Sequence, residues 1–81
     1  MSYLRDYIND NDFRFSYQKD YLNIINYLKI NYLEDSKISL NIPGGVIVIK
    51  GEKLRIRKLL DNEILIGGNI QNIEIKEWYN E

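Results

Sequence analysis

The clearest structural pattern in the sequence lies in residues 37–59, KISLNIPGGVIVIKGEKLRIRKL. Residues 37–42 alternate between polar and apolar side chains, which is typical of a β-strand with one buried face. Pro43-Gly44-Gly45 ends that strand, because proline lacks a backbone donor and glycine tolerates a positive φ. The β-branched run 46–49 predicts a second strand, and residues 50–53 predict a turn into a third.

The rest of the chain shows the same kind of pattern, with turn-forming residues between short apolar segments. Apolar residues alternate in 12–17, dominate 21–32, which is long enough for two strands or one strand bent at Asn26, and recur in 64–78, where Gly67-Gly68 marks a bulge, kink or turn. Because the connections are short, neighbouring strands are expected to pair antiparallel. We therefore predict an all-β fold, a small antiparallel meander or sandwich of seven or eight short strands, with a small barrel as the alternative.

One domain is expected to span residues 1–81. Its β part occupies 12–78, and residues 1–11 form an N-terminal arm or a short helix, because apolar residues recur there at helical spacing. Strand alternation predicts that the core is built from Ile38, Leu40, Ile47, Ile49, Leu54, Ile56, Ile64, Ile66 and Ile73.

A faint internal repeat accompanies this pattern, because residues 47–51 match residues 64–68 at a constant offset. Stacked β-solenoid coils would produce such a repeat. Two copies are fewer than a solenoid normally needs to bury a continuous core, so the solenoid is retained only as a second alternative.

The composition excludes most enzyme chemistry. With no cysteine and no histidine, the chain has no disulfide, no thiolate metal site and no imidazole proton shuttle. Its carboxylate pairs, Glu34 with Asp35 and Asp61 with Glu63, fall in predicted turns, and neither Gly-Gly pair precedes a helix as a phosphate cradle would. We therefore predict no enzyme activity, no catalytic residue, no cofactor and no metal site.

Charge and hydropathy limit the partners and the location. The formal net charge is -1, from 11 basic and 12 acidic residues, so the general electrostatic attraction of a nucleic-acid binder is missing. No stretch is long and apolar enough for a membrane span, and the N-terminus lacks the apolar run of a signal peptide. The sequence thus predicts a cytoplasmic protein with no nucleic-acid partner and no transmembrane segment of its own.

One local cluster of charge is a candidate interaction face. Lys53, Arg55 and Arg57 alternate with apolar residues and are expected to project from one face of the sheet. Carboxylates such as Glu63 or Glu74 would neutralise an ordinary solvated face, whereas an interaction face would dock onto an acidic protein or onto anionic lipid headgroups. A third interpretation, in which the aromatic residues of 12–17 stack on bases, is disfavoured because they lie on a different strand.

The order of motifs in the second half of the chain is similar to a known family. Residues 45–59 give an apolar strand ending in Ile-x-Gly followed by Leu-x-Ile-x-x-Leu, and residues 62–74 give Glu-Ile-x-Ile-x-Gly-x-Ile-x-x-Ile-Glu. This series resembles the YabP/YqfC family of sporulation proteins, and residues 21–27 and 33–38 resemble its YqfC branch. Gly67 departs from the pattern, in which a charged or polar residue precedes the second glycine.

The resemblance implies a small all-β sporulation protein with no known enzymatic activity, made in the mother cell of an endospore-forming bacterium. It implies a protein partner, the membrane protein YqfD for YqfC-like chains, and so a place beside the forespore membrane with peripheral membrane association. The alternative function is a structural protein that self-associates into homo-oligomers or filaments through its sheet edges, and a nucleic-acid or ligand-binding module is a weaker one.

Overall fold

The computed structural model describes residues 13–77, which form a single antiparallel sheet of six strands. The strands are β1 (Arg14–Gln18), β2 (Tyr21–Ile25), β3 (Lys29–Glu34), β4 (Lys37–Ile42), β5 (Gly45–Leu59) and β6 (Glu63–Glu77), and their order across the sheet is β1-β2-β6-β5-β4-β3. The all-β antiparallel prediction is confirmed, and the predicted sandwich of seven or eight strands is wrong. The described residues contain no helix, and the arm or helix predicted for residues 1–11 lies outside them.

The strand count differs because two predicted breaks lie inside continuous strands. Residues 50–53, predicted as a turn, form a β-bulge in β5, where the pairing with β6 shifts register and Lys53 adopts a left-handed φ of 56°. A matching irregularity in β6 is at Gly68, whose φ is 123°. Each strand therefore continues through its irregular site and reaches 15 residues.

Two hairpin turns bind the backbone of the long strands at these irregular sites. At the β3–β4 turn, the carbonyl of Ser36 accepts a hydrogen bond from the Gly51 amide (3.1 Å) and that of Asp35 accepts one from the Leu54 amide (2.8 Å). At the β1–β2 turn, the carbonyl of Asp20 accepts one from the Gly68 amide (3.3 Å). The bulges are therefore held by main-chain hydrogen bonds from the tips of the hairpins.

The pairing register gives the sheet an approximate two-fold symmetry. The β1–β2 hairpin pairs with the first half of β6, and the β3–β4 hairpin pairs with the first half of β5. The symmetry axis passes through the pair formed by Glu52 and Asn69, and it relates Ile49 with Ile73 to Ile66 with Ile56. We call the two parts the β1–β2 half and the β3–β4 half. The two copies of the sequence repeat, 47–51 and 64–68, are thus symmetry-related segments of β5 and β6, the two central strands of the sheet, rather than two coils of a solenoid.

Both halves contribute to one hydrophobic core. Its fully buried side chains include Leu22, Ile24, Ile64 and Ile66 from the β1–β2 half, and Ile38, Leu40, Ile47 and Ile49 from the β3–β4 half. Since bulges bend strands, we interpret the shared core as the result of the two halves bending toward each other at the irregular sites. Of the nine predicted core residues seven are buried, whereas Ile56 and Ile73 are only partly buried and pack against the cluster. The sequence-based core omitted four buried residues, Leu22, Ile24, Ile42 and Val48.

Candidate interaction surface

The face of the β1–β2 half that points away from the core carries a cluster of basic and aromatic side chains, which we call the outer face. Strand pairing places Tyr21 opposite Gly67, and Gly67 opposite Arg55. The second row along joins Asn23, Leu65 and Lys58 in the same way. Because residues in one row share a face of the sheet and alternate rows face the same way, Arg55 and Lys58 lie on the same side as Tyr21.

Arg57 joins this face through a second bulge in β5. The pairing register shifts between Ile56 and Lys58, so Arg57 has no opposite residue on β6. Its side chain covers Gly67, where an added Cβ would lie 3.0 Å from Arg57 Cγ. The guanidinium continues to Tyr21, with Cζ 5.7 Å from the ring centroid, which is within the range of a cation–π contact. The absence of a side chain at Gly67 thus leaves the space that Arg57 occupies.

Lys53 does not belong to the same regular alternation. It is exposed, like Arg55 and Arg57, but it lies in the first bulge with a left-handed backbone. The three cations therefore do not form the simple stripe that alternation predicts. Two of them, Arg55 and Arg57, lie together beside Gly67, and Lys53 is separated from them by the bulge.

The carboxylates expected to neutralise this face have other neighbours. Glu63 accepts a hydrogen bond of 2.9 Å from the side-chain amide of Asn23. Glu74 lies opposite Val48, in the β3–β4 half. Among residues 13–77, neither of them forms an ion pair with Arg55 or Arg57. The outer face therefore presents cations that the described carboxylates leave open to an external anion.

A groove of about 500 Å³ lies on this face. It is lined by Gln18, Tyr21, Arg57, Lys58 and Leu65, and we call it the Arg57 groove. A guanidinium presents a planar set of donors that matches a carboxylate or phosphate, and the ammonium of Lys58 adds a second positive charge. Tyr21 and Leu65 supply apolar surface beside these charges. The arrangement suits an acidic segment that also carries an apolar or aromatic side chain.

Sequence reasoning identified Arg57 but missed Tyr21, Lys58 and Leu65 as its neighbours. Tyr21 reaches Arg57 only through pairing of β2 with β6 and of β6 with β5. The bulge at Arg57 had no recognised sequence signal. Lys58 alone could have been included, because it continues the basic run.

The aromatic residues of β1 lie on the opposite face of the sheet. Phe15 pairs with the buried Ile24, so it projects to the core side, where its ring stacks on Phe13 with centroids 5.7 Å apart. Phe15 and Tyr17 remain 43% and 52% exposed, so they border the core rather than fill it. Cations and stacked rings are therefore on different faces, which does not favour the base-stacking interpretation.

Among residues 13–77, a further polar cluster lies at the β3–β4 turn. The carboxylate of Glu34 accepts a hydrogen bond from Tyr32 and raises the pKa of that phenol, and Lys37 Nζ lies 5.3 Å from the ring centroid of Tyr32. All three residues are exposed. In the part of the chain that the structure describes, no group of three or more acidic residues is placed to hold a metal ion, and no helix is long and apolar enough to cross a bilayer.

A comparison with protein families shows which family the chain belongs to. The model of the YabP family matches residues 17–80, which include all six strands except the first positions of β1. The chain belongs to the YabP family. Membership in the YabP family implies a sporulation protein, and no catalytic role is known for this family. No curated protein and no solved structure matches the chain.

Proposed function

We propose that this YabP-family protein is a non-enzymatic interaction module that binds an acidic segment of a protein partner in the Arg57 groove. The observation that carries the proposal is the position of Arg57, whose guanidinium is exposed, lies on Tyr21 and has no ion pair with a described carboxylate. A cation fixed on an aromatic ring loses less conformational entropy on binding than a free one.

The place of action in the proposal comes from the resemblance to the YqfC branch. We propose that the protein works in the cytoplasm of the mother cell, at the surface of the forespore membrane, and that a YqfD-like membrane protein is its partner. Peripheral attachment to the membrane through that partner needs no spanning segment in this chain. Anionic lipid headgroups are the competing ligand for the same cations.

Charge reversal on the outer face tests the proposal. The variant R55E/R57E should lose capture by a purified YqfD-like protein, because two attractive contacts become repulsive. The matched control is K29E/K50E, which reverses the same number of exposed cations on the β3–β4 half and should be captured like the wild type. Binding should weaken as salt rises, since exposed charges are screened.

Two results would contradict the proposal. Capture of R55E/R57E at the wild-type level, with the wild-type circular dichroism spectrum, would exclude the Arg57 groove as the docking site. Binding of the wild type to vesicles rich in phosphatidylserine, with none to the YqfD-like protein, would make lipid the ligand instead.

A further inference from the structure

The two long strands each leave one backbone edge open in the described part of the sheet. Residues 55–59 of β5 pair with β6 on one side, and no strand among residues 13–77 pairs with their other side. Residues 70–77 of β6 pair with β5, and no described strand pairs with their second side. The amides of Leu54 and Gly68, which bind the hairpin turns, lie where these edges begin. We call residues 55–59 the β5 edge and residues 70–77 the β6 edge. The approximate symmetry relates one edge to the other.

The two edges differ in charge although they are related by symmetry. The β5 edge carries Arg55, Arg57 and Lys58 and no carboxylate. The β6 edge carries Glu74, Lys76 and Glu77, and so is acidic overall. Arg55 and Lys58 point to the outer face, as Glu74 does on its own half, because each lies out of phase with the core residues of its strand.

Each edge also exposes one apolar side chain on the core face. Leu59 is in the row of Ile64 and Ile24 and is 52% exposed, and Ile75 is in the row of Ile47 and Leu40 and is 47% exposed. Phe13 lies beside Ile75 in a groove of about 290 Å³ that adjoins the β6 edge. Unpaired main-chain groups next to exposed apolar side chains are the usual features of a strand-addition site.

We propose that a second copy of this chain is the occupant, and that the β5 edge of one copy adds to the β6 edge of the next. This pairing continues the sheet with Arg55, Lys58 and Glu74 on one face, and with Leu59, Ile75 and Glu77 on the other. Pairing of two β5 edges would place cations opposite cations, which is unfavourable. A contact between two different edges leaves one of each kind free at the ends, so association by this route extends to chains of molecules rather than stopping at a dimer.

The inference does not depend on the proposed acidic partner, and substitutions on the β6 edge separate the two. The mass of the wild type, followed by light scattering and sedimentation velocity, should increase with protein concentration. The variant E74K/E77K should stay monomeric and should still be captured by the YqfD-like protein, because the Arg57 groove is intact. The control E34K/E52K changes the charge equally at two exposed positions outside the β5 edge and the β6 edge and should associate like the wild type. Lys76 on the β6 edge repels the cations of the β5 edge, so K76E should strengthen association.

Mixing provides the decisive measurement. The variant R55E/R57E alone should be monomeric, and a mixture of it with E74K/E77K should form complexes, because each variant keeps the edge that the other has lost. A wild type that remains monomeric at every concentration would overturn the inference. So would a closed dimer that R55E/R57E abolishes and E74K/E77K leaves unchanged.

Discussion

Gly68 shows how a single residue can fix the shape of the whole sheet. Its φ of 123° is in a region that side chains rarely adopt, and an added Cβ would lie 2.5 Å from the carbonyl oxygen of Lys53 on the neighbouring strand. The close approach of β5 and β6 at the irregular site therefore requires glycine for two independent reasons. Gly44, in the β4–β5 turn, has only the backbone reason to be glycine, because its φ is 84° but an added Cβ would meet no atom within 4 Å.

This difference gives a matched pair of substitutions. Gly44→Ala should lower the free energy of unfolding by about 1 kcal/mol, the cost of a left-handed alanine. Gly68→Ala should cost clearly more, because the backbone of Lys53 must also move away. Urea denaturation of the two variants measures both values. Equal losses of stability would contradict the close approach of the two strands at Gly68.

At the level of the elements, the quality of the sequence-based prediction depended on whether the signal was local. The bounds of β4 follow from strict alternation ended by Pro43, and the structure reproduces them. The bulge at Lys53 could not be recognised, because residues 50–53 have the composition of a turn. They are held in the sheet by partners from distant parts of the chain: the Ser36 carbonyl accepts a hydrogen bond from the Gly51 amide, and Asn69 pairs with Glu52. Arg57 was predicted because it belongs to a basic run that is local in the sequence. Tyr21 was missed because only the pairing of distant strands brings it to Arg57.

A pair of asparagines links two connections that are far apart in sequence. Asn26, between β2 and β3, has a left-handed φ of 69°, donates its amide to the carbonyl of Asn62 in the β5–β6 turn, and accepts a hydrogen bond of 3.1 Å from the Asn62 side chain. Left-handed asparagine is tolerated far better than left-handed alanine.

Substitution of Asn26 should therefore separate the backbone contribution from that of the side chain. Asn26→Gly keeps the backbone conformation and loses the hydrogen-bond acceptor, whereas Asn26→Ala loses the acceptor and adds about 1 kcal/mol of backbone strain. The denaturation midpoint of Asn26→Ala should be the lower of the two. A lower midpoint for Asn26→Gly would contradict the left-handed assignment.

For the unfolding of the whole molecule, the shared core is more important than the symmetry of the two halves. Each long strand belongs to both halves, and the buried side chains of both form one cluster. A small domain with a single core usually unfolds in one cooperative transition, and the two halves should not melt separately.

Matched core substitutions test this cooperativity. Ile24→Ala in the β1–β2 half and Ile38→Ala in the β3–β4 half remove side chains of the same size that are both fully buried. Each should lower the free energy of unfolding by roughly 2 to 5 kcal/mol and shift one single thermal transition. Calorimetry that resolves two transitions, with each variant affecting only its own half, would contradict a shared core.

The hydrogen bonds from the hairpin tips to the long strands also have a consequence for amide exchange with solvent. The backbone amides of Gly51, Leu54 and Gly68 donate to carbonyls at the tips of the hairpins, those of Ser36, Asp35 and Asp20. Their deuterium uptake therefore follows the lifting of a hairpin tip, an opening much smaller than global unfolding. The amides of Gly51 and Leu54 report on one tip and that of Gly68 on the other. Comparing their protection factors measures how unequally the two related halves of the sheet open at the irregular sites.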